Sequence, residues 1–183
     1  MELKLEHDIK DYEETIKAVE AFQGDFSKKD KENAIKFILD NETNNQFKKL
    51  SFSIYGQPKA WQRHRKAASG HMYDPSGKDK VSLVTILREN LPENFTLIEG
   101  EIIVIAECYK LYPKSTPKYK AILCELGYIQ PISVPDIDNY EKIIQDAFNK
   151  ILYRDDSQIV DIGVSKRFSI TPRIDFQIYY RQK

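Results

Sequence analysis

Cysteine is scarce in this chain, and its two copies, Cys108 and Cys124, make neither a disulfide framework nor a zinc site. Long hydrophobic runs are missing too. The longest, Ile102 to Ala106, is far too short to span a bilayer. The first stretch, MELKLEHDIKDYEE, is acidic and lacks the apolar centre of a secretory signal. These deficits lead us to expect a reducing, cytoplasmic setting and no membrane partner. A glycine-rich phosphate loop is excluded as well: Gly70 and Gly77 stand too far apart, and Asp79 follows Lys78 where a hydroxyl residue is required. His7, His64 and His71 form no ligand cluster by spacing, and neither cysteine has an activating partner in sequence. There is no repeat and no low-complexity tract. Net charge is absent, because 28 basic and 28 acidic side chains cancel. That balance argues neither for nor against nucleic acid.

What is present is a globular composition, 41% hydrophobic and 31% charged, in a chain long enough for one ordinary core plus an appendage. Charge is unevenly spread. Residues 1–48 carry 12 acidic and 8 basic side chains, whereas 49–183 carry 16 and 20, so a boundary is expected near Lys48. Before it, Ile9, Tyr12, Ile16, Val19 and Phe22 recur at helical spacing, and Ser27 is placed to cap a second helix. A helical N-terminal extension over 1–48 follows, read more readily as packing than as chemistry. After it, Leu50, Phe52 and Ile54 alternate as in a half-buried strand. PSGKDKVSLVTILREN reads as a helix with Ser76 as its cap, and EIIVIAECYKLYP as a strand buried on both faces. A short helix closes at Gly127, and QIVDIGVSKRF and RIDFQIYY alternate again. Strands and helices in this irregular order predict an α+β fold over 49–183, with a single mixed, largely antiparallel sheet packed with helices.

The chemistry concentrates in VPDIDNYEKIIQDAF (134–148) and YRDDSQIV (153–160). Pro135 favours an extended approach at Val134. In extended chain, Asp136 and Asp138 share a face about 6.5–7 Å apart, where two carboxylates can converge on a cation. A hard ion such as Mg²⁺ takes oxygen ligands at about 2.1 Å. The plainer alternative is helix capping: Asp138-Asn-Tyr-Glu141 has the form of a capping box, and Asp136 suits a helix dipole. Beyond them, Tyr140, Ile143, Ile144, Ala147, Phe148 and Ile151 form an apolar stripe, with Lys142 and Asp146 on the opposite side. The chain then returns through Asp155 and Asp156, an acidic pair that could meet the first one or simply form a turn. Carboxylates gathered at one end of a sheet repel strongly without cations. Upstream, KAWQRHRK carries Lys59, Arg63, Arg65 and Lys66 around Trp61 and His64. Such a loop suits phosphate contacts and stacking on unpaired bases, or is only a solvated loop. Lys166 and Arg167 are weaker candidates of the same kind.

At these residues the sequence resembles the RusA family of Holliday-junction resolvases, endonucleases common in bacterial prophages. PDIDNYEKIIQDAFNKILYRDDSQIVD follows the family's Pro-Asp-x-Asp-Asn, a lysine four residues after the second aspartate, Asp-Ala, and a later Asp-Asp-x-Gln-Val. IYGQPKAWQRHRKA and HMYDP extend the likeness upstream, so that it covers roughly Leu50 to the end. The resemblance implies that Asp136, Asp138 and Asp156 bind metal, that Lys142 is catalytic and that Asp155 supports. It also implies Mg²⁺ (Mn²⁺ substituting) and a homodimer that resolves four-way DNA junctions by paired nicks. Val134 stands where the family is often basic, and 1–49 has no counterpart in short members. Rival readings are a non-cleaving branched-DNA-binding protein, a flap or branched-intermediate nuclease, and a structural protein whose acids are caps and turns.

Overall fold

The computed structural model describes residues 12–40 and 47–181. The readings placed on His7, Ile9 and the first acidic residues lie outside them. The described residues fall into two compact units divided after Lys48.

The first unit holds α1 (Tyr12–Ala21) and α2 (Lys28–Asp40). Reciprocal bonds start α2: Ser27 Oγ accepts from the Asp30 amide at 3.2 Å, and the Asp30 carboxylate accepts from the Ser27 amide at 2.8 Å. The Ser27 hydroxyl also holds the Asp30 carboxyl below its usual range. Lys31 Nζ reaches back to the Glu20 carbonyl at 2.8 Å, and Phe22 meets Phe26 edge to face. No side chain of α2 is buried in this hairpin.

The second unit runs β1 (Lys48–Tyr55), β2 (Arg65–Lys66), β3 (Met72–Tyr73), α3 (Gly77–Asn90), β4 (Ile102–Lys110), α4 (Lys118–Glu125), α5 (Ile137–Phe148), a 3₁₀ turn (Asp156–Gln158), β5 (Ile159–Phe168) and β6 (Arg173–Tyr180). One sheet has the order β1-β6-β4-β5, with β4 antiparallel to β6 and parallel to β5. β2 and β3 form a separate antiparallel ribbon. The mixed α+β architecture is therefore as expected, with this small ribbon added.

β4 departs from expectation. It is buried on one parity only: Ile102, Val104, Ala106 and Cys108 are sealed, while Ile103, Ile105, Glu107 and Tyr109 are half-exposed. Helices cover a single face. The other face carries a polar mesh in which Arg167 pairs with Glu107 at 3.0 Å and Arg173 with Asp175 at 2.9 Å. Four isoleucines and valines in five residues look like a doubly covered strand, but β propensity alone also selects them.

On the covered face, the stripe of α5 meets the sheet as predicted: Tyr140, Ile143, Ile144, Ala147 and Phe148 are buried. Phe176 lies 5.0 Å, centroid to centroid, from both Phe148 and Phe52. Burying each such side chain contributes about 1.5–3 kcal/mol. Gly100, just before β4, is required by close approach, since a Cβ there would run into the Arg181 carbonyl.

β4, α5 and β5 make a parallel-strand crossover. In such a unit the helix begins at the end where the strands finish and returns the chain to the end where they start. This decides where each acidic pair lies.

Candidate active site

The chain enters α5 over the finishing ends of β4 and β5. Lys110 Nζ donates to the Val134 carbonyl at 2.7 Å, and Lys166 Nζ to Ser133 and Pro135 carbonyls at 3.2 and 3.1 Å. Two ammonium groups thus hold the 133–135 backbone, whose Val134–Pro135 bond is cis. Burial, with Lys166 beside it, draws the Lys110 ammonium below its usual range.

Asp136 is the N-cap residue of α5, extended at φ −71° and ψ 157°, yet its side chain makes no capping bond. Asp138 already lies in the first helical turn. Two expectations are corrected here. The pair is not a stretch of extended chain, because the helix starts at Ile137. Nor is Asp138 the cap of a box, since Glu141 instead accepts from Gln145 at 3.0 Å. Both carboxylates are exposed beside the helix N-terminus. Their charge suits the dipole, and no cap bond occupies their oxygens.

The capping box is at the other acidic pair. The Asp155 carboxylate accepts from the Ser157 amide at 2.9 Å, and Gln158 Oε1 accepts from the Asp155 amide at 3.0 Å. The Ser157 bond holds the Asp155 carboxyl below its usual range. Gln158 Nε2 then donates to the Ile98 and Gly100 carbonyls, both at 2.9 Å, pinning the turn where β4 and β5 begin. Asp156, exposed on this turn, belongs with the last turns of α5. Burial first, and then the Asp156 and Asp146 charges, push the neighbouring Tyr153 phenol up.

The expected meeting of Asp156 with Asp136 and Asp138 does not occur within one chain. Twelve helical residues carry α5 about 18 Å away from its start. β5 must climb about 23 Å from Ile159 to reach Lys166 again. Accordingly, among the described residues no group of three or more His, Cys, Asp or Glu side chains is close enough to hold a metal ion. The donors themselves are of the right kind, being exposed carboxylate oxygens suited to a hard divalent cation. One chain places two of the three, Asp136 and Asp138, at the start of α5 and the third beyond its end.

Along one line of α5, Asp138, Lys142 and Asp146 follow at intervals of four. The Lys142 ammonium sits 3.7 Å from the centroid of the Trp61 ring. Asp146 is taken by Lys80 at 2.7 Å, and Lys80 also reaches Asp74 at 3.1 Å. Burial alone would lower the Lys80 ammonium, but the two carboxylates outweigh it and hold it above its usual range. Ser76 occupies the N-cap position of α3 as predicted, but its hydroxyl accepts from the Gln62 amide at 2.6 Å instead of capping. The loop carrying Trp61 is therefore stapled to α3 and, through the Trp61 amide and the Asn139 carbonyl at 2.8 Å, to α5.

Of the basic candidates, Lys59, Arg63, Arg65 and Lys66 are exposed beside this loop, with Lys66 and Arg65 in β2. Lys166 and Arg167 are engaged, the first with the 133–135 backbone and the second with Glu107 on the open face. The cysteines are buried, and burial pushes the Cys108 thiol up to about 12, which removes it as a nucleophile. Sequence reading missed the roles of Gln158 and Lys80. The Asp155-x-x-Gln158 spacing of a capping box signalled the first; nothing local signalled the second.

This geometry places exposed acids and a basic loop on one α+β unit. The chain is of the endodeoxyribonuclease class: the family model of endodeoxyribonuclease RusA matches residues 55–179, which include every candidate site residue. The uncharacterized protein YqaN of Bacillus subtilis (strain 168) is 36% identical over 136 residues, covering 70% of this chain and 94% of that protein. The chain belongs to the RusA family. Among the described residues, no helix is long and apolar enough to cross a membrane.

Proposed function

We propose that the protein is a Mg²⁺-dependent nuclease that resolves four-way DNA junctions by paired symmetric nicks, and that it does so as a homodimer. Residues 49–183 form the nuclease domain and 1–48 an appended helical extension; the matched segment begins only at residue 55. The observation that carries the reading is the acidic set itself. Asp136 and Asp138 are exposed at a helix start without capping it. Their third partner, Asp156, stands at the far end of the same crossover.

A second copy, related by a two-fold axis, can lay its Asp156 against the first copy's Asp136 and Asp138 and receive the same in return. Two equivalent sites result, which suits a substrate with matching symmetry. Tyr119, Ile122 and Leu126 support such a contact, since they recur at helical spacing and leave an apolar stripe exposed along α4. Ile132, 99% exposed on the approach to α5, is a further uncovered apolar side chain.

Asp136, Asp138 and Asp156, supported by Asp155, would hold the cation, whose chemistry is to polarise the scissile phosphate and acidify a bound water. Lys142 offsets negative charge that develops on the phosphate. Lys59, Arg63, Arg65 and Lys66 bind the backbone of the arms. Lys166 holds the loop before Asp136 and so acts on DNA only through it, while Arg167 contributes once Glu107 yields.

The test is nicking of a synthetic four-way junction beside flap and linear duplex, with Mg²⁺, with Mn²⁺ and with chelator. Paired nicks in the junction arms that vanish with chelator are expected. Cleavage of flaps in preference to junctions moves the protein to a branched-intermediate nuclease, and binding without cleavage makes it a junction-binding module. Arg63→Ala with Arg65→Ala is expected to weaken junction binding and flatten the plot of log affinity against log salt by about two units. An unchanged slope in a salt titration takes both residues out of the interface.

A further inference from the structure

Trp61 is the single tryptophan of the chain, and its indole receives the Lys142 ammonium at 3.7 Å. That is well inside the range of about 6 Å over which an aromatic face attracts a cation. The ring is firmly held. Ala60 beside it is buried, the Trp61 amide donates to the Asn139 carbonyl at 2.8 Å, and the Gln62 amide donates to the Ser76 hydroxyl at 2.6 Å. His64 packs against it edge to face at 6.5 Å. Lys142, by contrast, is an exposed point charge on a flexible four-carbon stem.

The natural partner of a helical lysine is a carboxylate one turn away. Asp138, four residues before Lys142, makes no ion pair with it among the described residues, and Asp146, four residues on, is held by Lys80 at 2.7 Å. An ion pair with either would neutralise Lys142; the indole restrains it and leaves its charge whole. We infer that Trp61 is a positioning residue for Lys142, keeping an unneutralised ammonium beside the start of α5 where a phosphate binds. The inference rests on the nuclease reading and deepens it. Restraint before DNA arrives means less rotamer freedom is lost when the ammonium meets the phosphate. Because Lys142 is proposed to offset charge that develops on the phosphate only during the reaction, the benefit falls on the chemical step.

Two measurements test it. In the free protein, without DNA or metal, emission comes from Trp61 alone among tryptophans, and Lys142→Gln is expected to shift it. Unshifted emission means the contact does not form in solution and overturns the inference. In junction nicking, Trp61→Leu, which keeps an apolar group but removes the aromatic face, is expected to lower kcat about tenfold with KM unchanged. Trp61→Phe, which restores a face, is expected to recover most of that loss. In a Lys142→Gln background, Trp61→Leu should add nothing further. A rise in KM at constant kcat would make Trp61 a base-stacking residue and overturn the inference. So would an undiminished tenfold loss without Lys142, the mark of a merely structural role. Normal nicking by Trp61→Leu overturns the inference and leaves the nuclease reading standing. No nicking by the wild-type chain overturns both, while the emission still decides the contact.

Discussion

A dimer that pairs an Asp138→Asn chain with an Asp156→Asn chain is expected to nick a four-way junction far faster than either variant does alone. The reason lies in the crossover. Because α5 separates its two ends by about 18 Å, each proposed site takes Asp136 and Asp138 from one chain and Asp156 from the other. In the mixed dimer one site receives both substitutions, and the other receives none. Selecting mixed dimers through two different tags should recover nicking at least about 100-fold above either pure variant, confined to one strand instead of two symmetric strands. The reverse arrangement, with both substitutions on one chain and a wild-type partner, should leave no complete site. If that arrangement nicks and the first does not, the acids meet within a single chain and the dimer geometry proposed here is wrong.

Asp138→Asn alone is the second large effect. Asparagine retains much of the size and hydrogen bonding of aspartate but loses a full charge as a cation ligand. Nicking by the pure variant is expected to fall at least about 100-fold, comparing with wild type at saturating Mg²⁺. Folding should hardly notice. Asp138 is exposed and makes no capping bond, so only its favourable position in the dipole of α5 is lost. That amounts to less than about 1 kcal/mol, read as the shift of a urea midpoint. The opposite pattern, intact nicking with a large stability loss, would return Asp138 to a purely structural role.

Much of this was legible beforehand. The stripe from Tyr140 to Phe148 identified α5 because burial on one face of a helix imposes its own period on the sequence. Gly127, at φ 70°, closes the short helix as its position predicted. Lys142 and its neighbouring acids were recognisable because the family motif keeps fixed spacings along one helix and one turn. Less legible were properties that depend on what lies opposite in space. The sequence of β4 does not say whether one face or two are covered. Ser76 sits where a cap should be, but it serves Gln62, a residue 14 positions away. Lys166 and Arg167 look alike as basic neighbours, yet a strand sends them to opposite faces, to a loop backbone and to Glu107.

Local sequence by itself determined the principal helices and the strands of the main sheet, the family and the kind of donor atoms, since periodicity, capping and motif spacing act over a few residues. Tertiary structure decided which acids stand apart and what Lys142 touches. Those depend on chain direction: a parallel crossover must carry its helix from one edge of the sheet to the other, and so parts Asp156 from Asp136 and Asp138 however close they are in sequence.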